Sequence, residues 1–215
     1  MVVGVFTIPL LWGLGIFSFP IAIIFPGISR PDFWTFFSSI VFLEWFAFGL
    51  IVWVCRPNAA EYLQINLNFL KKYRIRLLLG LGLLIVLAAF APSYLYSDAF
   101  PQESLTLKAI GPVSGLERVA FVFLSITAGI CEEVMFRGYG ISVLERLLKS
   151  KDIALILSSA AFMSLHGIAF LPWYLMLQYF MIGLIFGYFF QKYRRLEILI
   201  LIHFLLDALI AVFVP

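Results

Sequence analysis

Long apolar runs make up most of this chain, and short polar stretches join them. A membrane-spanning helix needs about 20 mostly apolar residues, and by that measure the chain predicts about seven spans (six to eight). They lie near residues 2–26, 34–54, 76–96, 118–146, 153–171, 173–191 and 197–213. Pro9 and Pro20 interrupt the first. Residues 56–75 carry Glu61, Lys71, Lys72 and Arg74 and read as an amphipathic connector. Residues 97–117, with Pro101, Gly111, Pro112 and Gly115, read as a loop. Only Leu171-Pro172 separates the fifth and sixth runs, which predicts a tight helical hairpin. The expected fold is an all-α, polytopic transmembrane helix bundle. It forms one membrane domain over 1–215, with N-terminal helices and a loop over 1–117 and a core over 118–215.

Charge orients the bundle. The loops after spans two, four and six hold Arg56, Lys71, Lys72, Arg74 and Arg76, then Arg146, Lys149 and Lys151, then Lys192, Arg194 and Arg195. The opposite loops hold Arg30, Lys108 and Arg118. Positive residues stay on the cytoplasmic side, so the N-terminus is expected inside and the C-terminus outside. The basic residues thus serve topology, and no nucleic-acid partner is expected. No Lys or Arg precedes Arg30, so the first run lacks the basic flank of a cleavable signal and is expected to stay as a helix.

Composition agrees with the pattern. Hydrophobic residues make up 63% of the 215 and charged residues 13%, too few to clothe a soluble domain of this size. The two cysteines, Cys55 and Cys131, sit in or beside apolar helices and are expected as free thiols. Gly183 and Gly187 form a small-xxx-small pair, which predicts a close helix–helix approach. The aromatic-rich stretch Trp173–Tyr193 is expected to face lipid and the interface.

The informative residues are those that do not belong in lipid. Ionisable groups at membrane depth are costly, face a bundle interior or cavity, and mark function. Span four carries Glu132, Glu133 and Arg137; span five carries His166; span seven carries His203 and Asp207. These are the chain's two histidines. Residues four apart share a helix face, so Glu133 is expected to pair with Arg137, and His203 and Asp207 to point the same way. Glu132 is rotated by about 100° from Glu133, which allows the two carboxylates different tasks. At a rise of about 1.5 Å per residue, Glu132, His166 and His203 all fall in the middle or cytoplasmic half of the bilayer. Glu44, in span two, is an outlier that either pairs with a basic residue or lines the cavity.

Hydrolysis of a peptide bond needs a base for water, donors for the oxyanion and an acid for the leaving amine. A carboxylate withdrawn from water is a stronger base, and an imidazole beside it can share the proton. A second imidazole can polarise the carbonyl. The set therefore suits water activated inside a membrane, with no serine or cysteine nucleophile.

Three stretches also resemble a known family. Glu132-Glu133-x-x-x-Arg137, Phe162-x-x-x-His166 and His203-x-x-x-Asp207 are similar, in order and on separate helices, to the motifs of the CAAX-protease and bacteriocin-processing (CPBP, or Abi) family. That family includes the type II CAAX prenyl endopeptidases. The resemblance covers about residues 115–210. It implies a glutamate-type intramembrane endopeptidase without a cofactor, acting on a membrane-associated or lipidated peptide or protein. Glu132 and His166 would activate water, His203 would face the oxyanion, and Glu133 and Arg137 would brace the helix. Phe162 would pack beside the site. Asp207 stands where the family usually has asparagine. An ionised aspartate cannot donate to an oxyanion, so it would either be protonated or orient His203.

Other readings use the same residues. His166, His203 and Glu132 (or Asp207) could ligate a catalytic zinc. The chain could instead be a non-catalytic membrane immunity or scaffold protein. A proton-coupled transporter is disfavoured by the lack of an inverted repeat. The expected location is a multi-pass integral membrane protein in a prokaryotic plasma membrane, in contact with its lipids.

Overall fold

In a computed structural model of the chain, residues 29–55, 62, 111–166 and 172–213 are described below. They are helical, with no strand among them. Helix α1 spans Pro31–Val54, α2 Gly115–Glu132, α3 Ser142–Leu148, α4 Lys151–Leu165, α5 Trp173–Tyr193 and α6 Glu197–Phe213. A π-helical segment, Glu133–Ile141, joins α2 to α3. Among the described residues three helices are long and apolar enough to cross a membrane: Pro31–Val54, the continuous Gly115–Leu148, and Trp173–Tyr193. The predicted spans near 2–26 and 76–96 and the connector 56–75 lie outside these residues, apart from Tyr62.

The helix starts are written locally. Ser114 caps α2 in a capping box: its hydroxyl accepts from the Glu117 amide, and the Glu117 carboxylate accepts from the Ser114 amide. That box begins the helix at Gly115, a little earlier than the apolar pattern suggests. Pro31 occupies the first turn of α1, where its missing N–H costs nothing. Ser150 caps α4 by accepting from the Ile153 amide.

Apolar run four differs from expectation in kind. It is not one α-helix, because from Glu133 to Ile141 the hydrogen bonding shifts to the wider π register. Such segments are rare and gather at functional sites. Here the Ser158 hydroxyl, from α4, donates to the Phe136 carbonyl at 2.7 Å. That gives the wide turn a partner from a neighbouring helix. All nine residues of the segment are buried.

The packing follows from small residues. The α2 backbone meets the α6 backbone at Gly129, where a Cβ would stand 3.0 Å from the Ile200 carbonyl oxygen and 3.3 Å from the Phe204 nitrogen. Helix α4 lies along α5 at Gly183, where a Cβ would stand 3.0 Å from Ser159. The predicted small-xxx-small contact is therefore present, with Gly187 seated against Leu155 and Ile141.

At the other side, α1 packs along α2. Arg30 donates to the Glu117 carboxylate at 2.7 Å and to the Gly111 carbonyl at 2.9 Å, tying the two N-terminal ends together. The helices therefore run parallel and in a fixed register.

The tightest approach is at Gly138, where a Cβ would stand 2.2 Å from the Tyr62 carbonyl oxygen. Backbone cannot yield as a side chain tip can, so Gly138→Ala is expected to lower stability by about 1–3 kcal/mol. Thermal unfolding of the purified protein in detergent measures this, and an unchanged midpoint would refute the close approach.

Candidate active site

Glu133 lies at the centre. It is the first residue of the π segment, and its side chain is fully buried. Its Oε1 accepts from Arg137 at 3.0 Å, as the four-residue spacing predicts. The same oxygen meets His203 Nδ1 from α6 at 2.8 Å. Sequence spacing gave no sign of this second partner, because it is 70 residues away. Glu133 is therefore a strut between two helices as well as along one.

The guanidinium of Arg137 is also buried, with 1% of its side chain exposed. It sits over the ring of Phe162 at 4.2 Å and that of Phe186 at 5.2 Å. Aromatic faces attract a cation most when water is excluded. Phe162 thus packs beside the site, as the second motif implies, but it also serves as a floor for the charge. It touches His166 with ring centroids at 4.7 Å and faces His203 at 6.1 Å.

A carboxylate facing His203 Nδ1 fixes that nitrogen as the donor. The other nitrogen, Nε2, then faces Asp207 at 3.5 Å and Glu132 at 3.8 Å. The expected shared face of His203 and Asp207 is present. Two apolar helices meeting at Gly129 thus bring Glu132, Glu133, His203 and Asp207 together.

His166 stands at the C-terminal end of α4, as its cap residue. Its Nδ1 lies 2.9 Å from the Phe162 carbonyl, which can only accept. The proton therefore sits on Nδ1, and Nε2 keeps a free lone pair. The ring stacks on Tyr179 of α5, with centroids 3.9 Å apart and planes 23° from parallel. His166 also interacts electrostatically with Asp207 and His203, so it belongs to the same cluster. The imidazole in closest ion-pair contact with Glu132, however, is His203.

Glu44 is placed by register. From Arg30 to Glu44 is 14 residues and from Glu117 to Glu132 is 15, about 21 and 22 Å of helix from the Arg30–Glu117 anchor. Glu44 is 3% exposed, and its carboxyl lies against that of Glu132, with no other hydrogen-bond partner for either oxygen among the described residues. It interacts electrostatically with Glu132, His203 and Asp207. Of the charged groups that act on Glu44, His203 is the basic one.

The aromatic stretch on α5 needs correction. Trp173, Leu177, Met181 and Tyr188 are exposed as expected, but Tyr174, Ile182, Phe186 and Phe190 are buried. The buried residues are spaced by four or eight and so share one face, turned inward beside Gly183 and Gly187. Tyr179 and Phe186, both missed as site residues, lie on this helix; the two glycines were the signal that it has a packing face. Cys55 and Cys131 are both free and buried.

Among the described residues no three His, Cys, Asp or Glu side chains are arranged to hold a metal ion.

Removing one partner of a buried ion pair strands the other, at a cost of about 3–5 kcal/mol. Arg137→Leu is therefore expected to lower stability by roughly that much. The double change of Arg137→Leu with Glu133→Gln should recover part of the loss. Chemical unfolding in detergent compares the two, and equal losses would argue against the pairing.

Neither curated proteins nor solved structures give a match to the chain. Residues 114–209 match the model of the family described as Type II CAAX prenyl endopeptidase Rce1-like, so the resemblance carried by the three motifs is borne out over the region that holds all three.

Proposed function

We propose that the chain is an intramembrane endopeptidase that hydrolyses a peptide bond in a membrane-associated or lipidated substrate, using water activated by Glu132 and His166. The observation that carries this reading is the convergence of three motifs on one buried cluster inside an apolar bundle. Lipid-buried charge is expensive, and stability alone gives no reason to gather this much of it.

The chemistry follows from which atoms are already committed. Glu133 Oε1 is committed to both Arg137 and His203, which suits a strut, although its Oε2 has no hydrogen-bond partner among the described residues. Glu132 Oε2 has no hydrogen-bond partner among the described residues and is free to take a proton. His166 Nε2 also presents a lone pair, since Nδ1 is bound to a carbonyl. Water placed between them loses a proton to Glu132 while its oxygen attacks the carbonyl carbon. The carbonyl π pair moves onto oxygen, giving a tetrahedral oxyanion. Its collapse breaks the C–N bond, and the proton passes to the leaving nitrogen. His203 Nε2, held by the Glu133 contact at Nδ1, faces the oxyanion side, and Asp207 orients it.

The family match supports a protein or peptide substrate, and a CAAX-type one is proposed. An Rce1-like endopeptidase takes a CAAX-type peptide, and an active site within a bundle suits a substrate held at the membrane by its own lipid. The placement of the basic loops supports a site in the cytoplasmic half of the bilayer, and a prokaryotic plasma membrane is part of the proposal.

A fluorogenic farnesylated CAAX peptide presented to purified protein in liposomes tests it. Glu132→Ala and His166→Ala are each expected to reduce kcat by about 10²–10⁴-fold, the contribution typical of a positioned base. Both variants should insert and purify like the wild type. Full cleavage by a well-folded Glu132→Ala protein would overturn the assignment.

A further inference from the structure

The described cluster is rich in acceptors and poor in donors. Glu44, Glu132, Glu133 and Asp207 bring carboxylates, which accept when ionised. Arg137 is a donor whose NH1 is bound to Glu133; its NH2 has no hydrogen-bond partner among the described residues, but the guanidinium is buried and packed against two phenyl rings. His166 Nδ1 is bound to the Phe162 carbonyl. His203 Nδ1 is bound to Glu133, leaving Nε2, which carries an N–H only in the protonated ring, between Asp207 and Glu132. An oxyanion forming here would meet at most one ring nitrogen and several negative charges.

Tyr179 supplies what is missing. Its ring lies flat on His166, which fixes the phenol by a broad contact. Helix α5 is held against α4 through Gly183, one turn further on, so Tyr179 has little freedom to retreat. The phenol interacts electrostatically with Asp207 and Glu132, the two carboxylates that face His203 Nε2. A phenol is a neutral O–H donor that can turn to an oxygen where negative charge develops.

We propose that Tyr179 is a catalytic residue of this site, its hydroxyl donating a hydrogen bond to the oxyanion of the tetrahedral intermediate. This rests on the endopeptidase reading above. The phenol keeps its proton throughout: the hydrogen bond strengthens as the carbonyl π pair moves onto oxygen and weakens as the C–N bond breaks. The stack on His166 gives the same residue a positioning task, and the two tasks separate by substitution.

Tyr179→Phe keeps the stack and removes the hydroxyl. Loss of one oxyanion donor is expected to lower kcat by about 10²-fold, with KM changed by less than about threefold. Affinity for a phosphinate peptide, whose tetrahedral oxygens mimic the oxyanion, should fall in parallel, because such analogues report transition-state contacts. Thermal unfolding should match the wild type. The probe is the farnesylated CAAX peptide in liposomes, with Glu132→Ala alongside. If Glu132→Ala is inactive but Tyr179→Phe retains wild-type kcat, or loses only in KM, the Tyr179 proposal is overturned and the endopeptidase reading stands. If wild type and Glu132→Ala behave alike, the endopeptidase reading itself is overturned, and this proposal with it.

Discussion

The shared carboxylate of Glu133 is the constraint on which the rest of the structure depends. One buried oxygen is held by Arg137 along its own helix and by His203 across the bundle. A lone charge at this depth would cost several kcal/mol, and excluding water makes each partner correspondingly valuable. The carboxylate therefore dictates where α6 must lie. Gly129 makes that position reachable by removing the side chain that would hold the two backbones apart. His203 then has its proton donor side fixed and its other nitrogen presented to Glu132 and Asp207.

The π segment serves the same end. An α-helical continuation would carry the buried side chains of residues 133–141 round at a different angular spacing. The wider register accompanies an arrangement in which Glu133 reaches Arg137 and α6, Phe136 packs edge-on to Phe162, and Gly138 lies against the Tyr62 backbone. The Ser158 hydroxyl supports the Phe136 carbonyl within this turn. Structure that departs from the regular helix is thus stabilised by contacts from α4 and α6, and sits where the chemistry is proposed.

Two kinds of residue flank the charged core. Phe162 and Phe186 screen Arg137 from lipid and offer it their π faces, so that an aromatic shell replaces water as solvent for the cation. Glu44 and Glu132 carry oxygens without hydrogen-bond partners among the described residues, and Glu133 Oε2 and Arg137 NH2 are likewise unpartnered beyond the ion pair that the two residues share. Polar atoms left unpaired at this depth are the ones available to a substrate and water.

Much of this could be read in the chain itself. Apolar runs broken by basic loops indicated helices and a membrane, because burying a backbone in lipid leaves few alternatives to a helix. The three spaced motifs named Glu132, Glu133, Arg137, Phe162, His166, His203 and Asp207, because residues four apart on a helix meet whatever surrounds them. The pairs Glu133–Arg137 and His203–Asp207 were legible for that reason. Contacts between helices were not. That Glu133 would bind His203, that Glu44 would lie at the level of Glu132, and that Tyr179 would stack on His166 depend on which faces meet and in what register. Glycines at 129 and 183 and the Arg30–Glu117 anchor decide those registers. Local spacing fixes what one helix can present; only packing decides what it is presented to.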